Sequence, residues 1–195
     1  LRRFGGRAGG GPQDPERFKD GFMQVPYAAS PLQAIDIDHG AWCTTGQSYE
    51  IHHFTLDDHA TGAVARGTRP AVPVSAAERD SAERRIRDFF QKTAGTNPDL
   101  SLIPAQKPTL RSLQVDPVGR LWVGVNTTDP GYSWDLFDRT GRLLAAVRAP
   151  FGIAPYQPVV FQGDRIYAVA ADTDVPTIVR ARLVRAPLAE AGKAR

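Results

Sequence analysis

Val115-Asp116-Pro117-Val118-Gly119-Arg120-Leu121-Trp122-Val123 is followed eleven residues on by Trp134-Asp135-Leu136-Phe137-Asp138-Arg139-Thr140-Gly141-Arg142-Leu143. In each stretch an apolar strand ends on an aspartate, a short glycine turn follows, and a second strand begins. The first phrase has an earlier copy, Ile35-Asp36-Ile37-Asp38-His39-Gly40-Ala41-Trp42. A degenerate third copy runs Val159-Val160-Phe161-Gln162-Gly163-Asp164-Arg165-Ile166-Tyr167.

Repetition at a few tens of residues marks a modular array, and an array whose units are all β points to a propeller. Trp122 and Tyr167 stand 45 residues apart, the length of one unit of four short strands. Trp42 and Trp122 stand 80 apart, so this interval holds an insertion of about 35 residues. The insertion is helical. Ser75-Ala76-Ala77-Glu78 reads as a capping box, in which serine and glutamate each satisfy a free backbone N–H. Ala82, Ile86, Phe89 and Phe90 then form one apolar stripe. Asp80/Arg84, Glu83/Arg87 and Arg84/Asp88 place opposite charges four apart on the wet face, and Gly95 with Asn97-Pro98 ends the helix.

These signals divide the chain. Residues 1–30 are a Gly/Arg-rich segment followed by a strand over 17–27 left over from a preceding unit. Residues 31–69 are the first unit, and 70–107 the helical insertion with a Pro-interrupted linker. Residues 108–150 are the second unit, 151–186 the last, and 187–195 a charged tail. The expected fold is all-β: a partial β-propeller of about three four-stranded antiparallel blades with one inserted amphipathic α-helix.

Composition narrows the function classes. Of 195 residues, 42% are hydrophobic and 23% charged, as in ordinary globular domains. The net charge of +3 comes from scattered arginines and not from a dense basic stripe with stacking aromatics, which argues against nucleic acid as a partner. Cys43 is the single cysteine, so no intrachain disulfide forms. It sits beside Trp42 on a repeat strand and reads as a small core residue. No window reaches the ~18 apolar residues of a membrane helix. The chain begins with Leu1, so a missing leader says nothing about export.

Residues that could carry chemistry are few. His52-His53 with Asp57, Asp58 and His59 is the one place where metal-ligand types crowd together. Adjacent strand residues point to opposite faces, so the candidate metal ligands reduce to His53, Asp57 and His59, with calcium or zinc as the ion. A polar hairpin tip explains the same residues more simply. Asp36, Asp38, Asp116 and Asp164 recur at strand-turn corners, where a carboxylate accepts local backbone N–H groups. No Gly-x-Ser-x-Gly elbow is present. Trp42, Trp122, Trp134, Tyr49, Tyr167 and Phe137 fall at equivalent positions and are expected to pack between units. No catalytic or cofactor-binding residue is assigned, and no cofactor is expected.

The phrase from Val115 to Val123 with that from Trp134 to Leu143 resembles the repeat of bacterial six-bladed β-propellers of the NHL-type or TolB-like kind. Tyr49-Glu50-Ile51 and Pro70 to Arg79 ahead of the helix resemble an insert of secreted members. The resemblance spans about residues 30–185. It implies a closed ring of six blades, of which this chain supplies about three. The rest would come from a longer chain, which the non-Met start and leftover strand favour, or from a second copy. It also implies a secreted or periplasmic protein. Propellers host many activities. The expected function is a non-enzymatic ligand- or protein-binding or scaffold module. The alternative is a metal-dependent, gluconolactonase-like propeller hydrolase or lyase whose site is completed by absent blades. A third expectation is an assembly protein that docks a partner through blade edges or the helix.

Overall fold

The computed structural model describes residues 23–57, 59–93, 97–154, 157–171 and 173–184. Short stretches of alternating apolar and polar residues, separated by glycine turns, fold into four antiparallel sheets, and the one 3.6-period stretch forms the α-helix. The first sheet joins β1 (Leu32–Asp36), β2 (Gly40–Thr44), β3 (Glu50–Phe54) and β4 (Ala60–Arg66) in chain order. A ribbon of β5 (Val72–Pro73) and β6 (Gln106–Lys107) brackets α1 (Ala76–Thr93) and a 3-10 turn at Leu100–Leu102. The second four-stranded sheet joins β7 (Leu110–Val115), β8 (Leu121–Val125), β9 (Tyr132–Phe137) and β10 (Leu143–Ala149). The third joins β11 (Val160–Gln162), β12 (Arg165–Val169) and β13 (Ile178–Arg182). Among the described residues this last sheet has three strands, one fewer than a four-stranded blade.

Every residue of β8 is buried, because both faces of the second sheet are covered. Side chains alternate along a strand. Leu121, Val123 and Val125 therefore meet Trp42, Ile51 and Ala65 of the first sheet. Trp122 points the other way, into Phe161, Ile166 and Ala168 of the third. Its indole stacks on Phe161 with centroids 4.1 Å apart, and Trp134 meets both rings edge-on at 6.1 Å. Such pairs add roughly 0.5–1.5 kcal/mol each beyond area burial. Trp42, Trp122, Trp134 and Phe137 are thus inter-sheet packing residues. Tyr167 instead lies half-buried on the far face of the third sheet, opposite Val160 and Arg180.

The helix begins as its capping box dictates. Glu78 N–H donates to Ser75 Oγ at 3.3 Å, and Ser75 N–H donates to Glu78 Oε2 at 3.0 Å. Ala82, Ile86 and Phe90 are buried and Phe89 partly so, in a core shared with Val25 and Ile103. Of the expected ion pairs, Glu83–Arg87 forms at 3.0 Å and Arg79 adds a second partner to Glu83. Asp80/Arg84 and Arg84/Asp88 are not in ion-pair contact.

Two expectations are corrected. Residues 23–28 form no outer strand of a sheet: Met23, Val25, Tyr27 and Ala28 pack on the helix, and Tyr27 turns the chain with a φ of 63°. The supposed linker before residue 108 holds the 3-10 turn and one strand of the ribbon, and Lys107 Nζ reaches back to Glu78 Oε1 at 2.6 Å. The Gly/Arg-rich segment, residues 17–22, the helix stop at Gly95 and the tail lie outside the described residues.

Candidate functional site

The first strands of the three large sheets each pair on one side only, and their other edges face one cleft of about 400 Å³. Ala34 and Ile35 of β1, residues 113–117 of β7 and its turn, and residues 159–161 at β11 form its wall. An edge strand leaves every second N–H and C=O unpaired. The cleft is therefore rimmed by backbone donors and acceptors as well as apolar side chains.

Asp116, the repeated corner aspartate, sits in this wall and is 5% exposed. Its Oδ1 accepts the N–H groups of Val118 at 3.1 Å and Arg120 at 2.9 Å. Its Oδ2 accepts Arg120 Nε at 2.6 Å and Trp122 Nε1 at 3.0 Å. Gly119, at φ 80°, makes the turn that aims these N–H groups inward. Both oxygens are committed, so Asp116 is a structural anchor and not a free base. The turn chemistry expected of it is present, and the indole bond is an addition the turn pattern did not contain. Beside it, Gln114 Oε1 is buried with no hydrogen-bond partner.

A second polar cluster lies between the first and second sheets. Asp135 on β9 is 3% exposed. Tyr49 Oη donates to its Oδ2 at 2.5 Å, Arg69 Nε donates to Oδ2 at 3.1 Å, and Arg69 Nη2 donates to Oδ1. Burial, then the hydrogen bond to the Asp135 carboxylate, holds the Tyr49 phenol well above its usual range. The hydrogen bond to Asp135 raises the Arg69 guanidinium further. This arrangement clasps two sheets together, and it is absent from the sequence reading. A signal existed: Asp135 stands two residues before Phe137, on the strand face that enters the apolar core, and a carboxylate there requires a cation.

The metal candidates fall apart in space. His53 is 9% exposed, packs on the Trp42 ring at 4.8 Å, and shares a 3.1 Å hydrogen bond between Nδ1 and Thr61 Oγ1. Burial holds its imidazole below the usual value. His52 points to the opposite face and meets Glu50 at 2.9 Å. Asp57 and His59 are exposed, and the His59 backbone closes the hairpin on Thr55. Asp58 lies outside the described residues. Among the described residues no group of three or more His, Cys, Asp or Glu side chains is placed to hold a metal ion.

Of the remaining corner aspartates, Asp36 Oδ1 meets His39 Nδ1 at 3.0 Å, and Asp164 Oδ2 accepts Arg182 Nε at 2.6 Å. Among the described residues no helix is long and apolar enough to cross a membrane. No family model matches this chain, and comparison with curated proteins and with solved structures finds no significant match.

Proposed function

We propose that this chain is part of a six-bladed β-propeller of the NHL-type or TolB-like kind. It serves there as a non-enzymatic binding or scaffold module, with its ligand or protein partner held at the cleft. The supporting observation is the convergence of three first strands on one cleft, from sheets that pack face to face in chain order. That is the way radially repeated blades present their inner strands to a central channel. The repeat resemblance carries the family, and with it a secreted or periplasmic bacterial setting.

Light scattering with a thermal melt tests the architecture. Two half-rings that close on each other give an assembly of about twice 21.2 kDa with one cooperative transition. A sticky, non-cooperative sample places the remaining blades on a longer chain, because open blade faces expose apolar surface. A monodisperse, cooperatively melting monomer overturns the six-bladed reading. Stoichiometric calcium or zinc in the purified protein would instead favour the metal-dependent hydrolase or lyase.

A further inference from the structure

We propose that the far face of the third sheet docks on the far face of the first sheet in a second copy of this chain, so that two copies close one ring of six sheets. This rests on the six-bladed reading and names the partner that completes the cleft.

Strand register carries the inference, because one kind of junction forms twice inside the chain. In the first sheet Trp42 of β2 pairs with His53 of β3, and Ile51 stands two residues before His53 on the same face. In the second, Trp122 of β8 pairs with Leu136 of β9, and Trp134 takes the place of Ile51. In the third, Tyr167 of β12 pairs with Arg180 of β13, and Ile178 takes that place. The faces so marked turn toward the next sheet in chain order. Trp42 and Ile51 cover Leu121, Val123 and Phe137, and Trp122 with Trp134 covers Phe161, Ile166 and Ala168. Ile51 and Trp134 are therefore 0% and 1% exposed, whereas Ile178 in the same position is 75% exposed.

The receiving faces show the same step. Phe137, next to Leu136 on β9, is fully buried, whereas Phe54, next to His53 on β3, is only partly so. Phe161 pairs with Ile166, the residue before Tyr167, and is 6% exposed. Ile35 pairs in the same way with Ala41, the residue before Trp42, and is 64% exposed. Residues 23–28, offered by the sequence as a strand of a preceding unit, pack on the helix instead, so the described chain supplies no sheet before the first.

The two open faces are thus the two halves of a junction already built twice in the interior. What fits the open side of the third sheet is another sheet of the first sheet's kind, and a second copy carries one. A junction between unlike faces repeats from copy to copy until the rotation closes. Three sheets are half of six, so two copies suffice. Closure sets the first strands of both copies around one channel, and the cleft is incomplete without the partner.

Light scattering over a dilution series of the full 195-residue chain tests this. The parent is expected at about twice 21.2 kDa. Ile178→Glu and Ile35→Glu, both at exposed positions, should each weaken self-association by about tenfold or more, because a carboxylate would be buried unpaired in the junction. The fluorescence maximum of the buried Trp42, Trp122 and Trp134 should stay that of the parent. Leu144→Glu, at an exposed position of the middle sheet, should leave the assembly unchanged. Since the two faces are unlike, a chain with Ile178→Lys mixed with a chain with Ile35→Glu should recover the mass of two chains. That pair has one junction free of substitutions and one whose added charges are opposite.

A two-chain assembly that neither glutamate variant weakens overturns the inference, because the copies then meet elsewhere. If both variants dissociate and their lysine and glutamate mixture stays single, the pairing of unlike faces is refuted. A polydisperse parent that both glutamate variants turn into single chains overturns the two-copy ring and leaves the six-bladed reading standing, with the remaining sheets on a longer chain. A monodisperse, cooperatively melting single chain overturns both.

Discussion

The first and second four-stranded sheets carry the same corner in sequence and build it differently. Asp116 and Trp122 are joined by a direct hydrogen bond, and Arg120 on the same turn completes the anchor. Asp36 and Trp42 have the same spacing, yet the Trp42 Nε1 has no hydrogen-bond partner. The two turns also differ by one shifted glycine. In the second sheet the residue at positive φ is Gly119, and Arg120 follows with a side chain that returns to the aspartate. In the first sheet it is Gly40, at φ 121°, so glycine stands where Arg120 would. Asp36 draws its cation from elsewhere: Arg139, on the β9–β10 turn, approaches Oδ2 at 3.4 Å, with His39 on Oδ1. One corner is closed within its own hairpin. The other is closed across the boundary between sheets, so its stability depends on their docking.

The largest effect is expected at that boundary. Asp135→Ala leaves Arg69 and Tyr49 facing an apolar wall, and breaking a buried pair this way costs on the order of 3 kcal/mol. Urea denaturation should show Arg69→Met to be comparably costly and the double variant no worse than either. Additive losses would mean the clasp does not exist.

Next comes the corner itself. Asp116→Ala frees Arg120 and Trp122 Nε1 inside the fold and should cost about 2–3 kcal/mol, against roughly 1 kcal/mol for Asp36→Ala, whose partners are half exposed. Equal losses at the two aspartates would erase the distinction drawn between them.

The glycines reverse the order. A Cβ on Gly40 would lie 1.8 Å from the Phe54 carbonyl oxygen, which is backbone of a paired strand, so Gly40→Ala should destabilise by about 2 kcal/mol or more. A Cβ on Gly119 meets the Arg139 side chain, which can swing away, and Gly119→Ala should cost nearer 1 kcal/mol, the price of the positive φ alone. Thermal melts of the two variants decide it.

The smallest effect is one of pH. Trp42 faces His53 across the strand pair, where Trp122 faces Leu136. Burial lowers the His53 pKa below its ordinary value of 6.5, so the neutral ring's stabilisation is fully present above about pH 6.5 and is lost as pH falls through the lowered value. His53→Leu makes the first sheet like the second. It should flatten the fall in urea midpoint between pH 7 and pH 5 while shifting the neutral-pH midpoint little. An unchanged slope would assign the acid sensitivity to other groups.

Much of this was legible in the chain. The strand-turn-strand repeat located both four-stranded sheets, since period-two alternation and glycine turns act within a few residues. The capping box and apolar stripe located α1 for the same reason, their partners being three or four residues away. The ribbon of β5 and β6 was not legible, because two-residue strands carry no period and their pairing spans more than thirty residues of sequence. Residues 23–28 were misread as a strand because Val25 and Tyr27 alternate as a strand would, and nothing local shows that a helix fifty residues on covers them. His53, Asp57 and His59 looked like a set only in sequence. The hairpin turned His53 into the Trp42 layer and left the other two on the exposed tip.

By itself, then, the sequence determined the all-β class, the repeated aspartate corner, the inserted helix and the residues that make each turn. Those are decided by backbone sterics, side-chain alternation and hydrogen bonds between near neighbours. Tertiary structure alone decided that three first strands share a cleft, that Asp135 needs Arg69 and Tyr49, and that Asp116 is fully engaged while the buried oxygen of Gln114 lacks a partner. Those facts depend on which faces meet, and contact between sheets is set by the sum of many weak apolar burials that no short stretch of chain encodes.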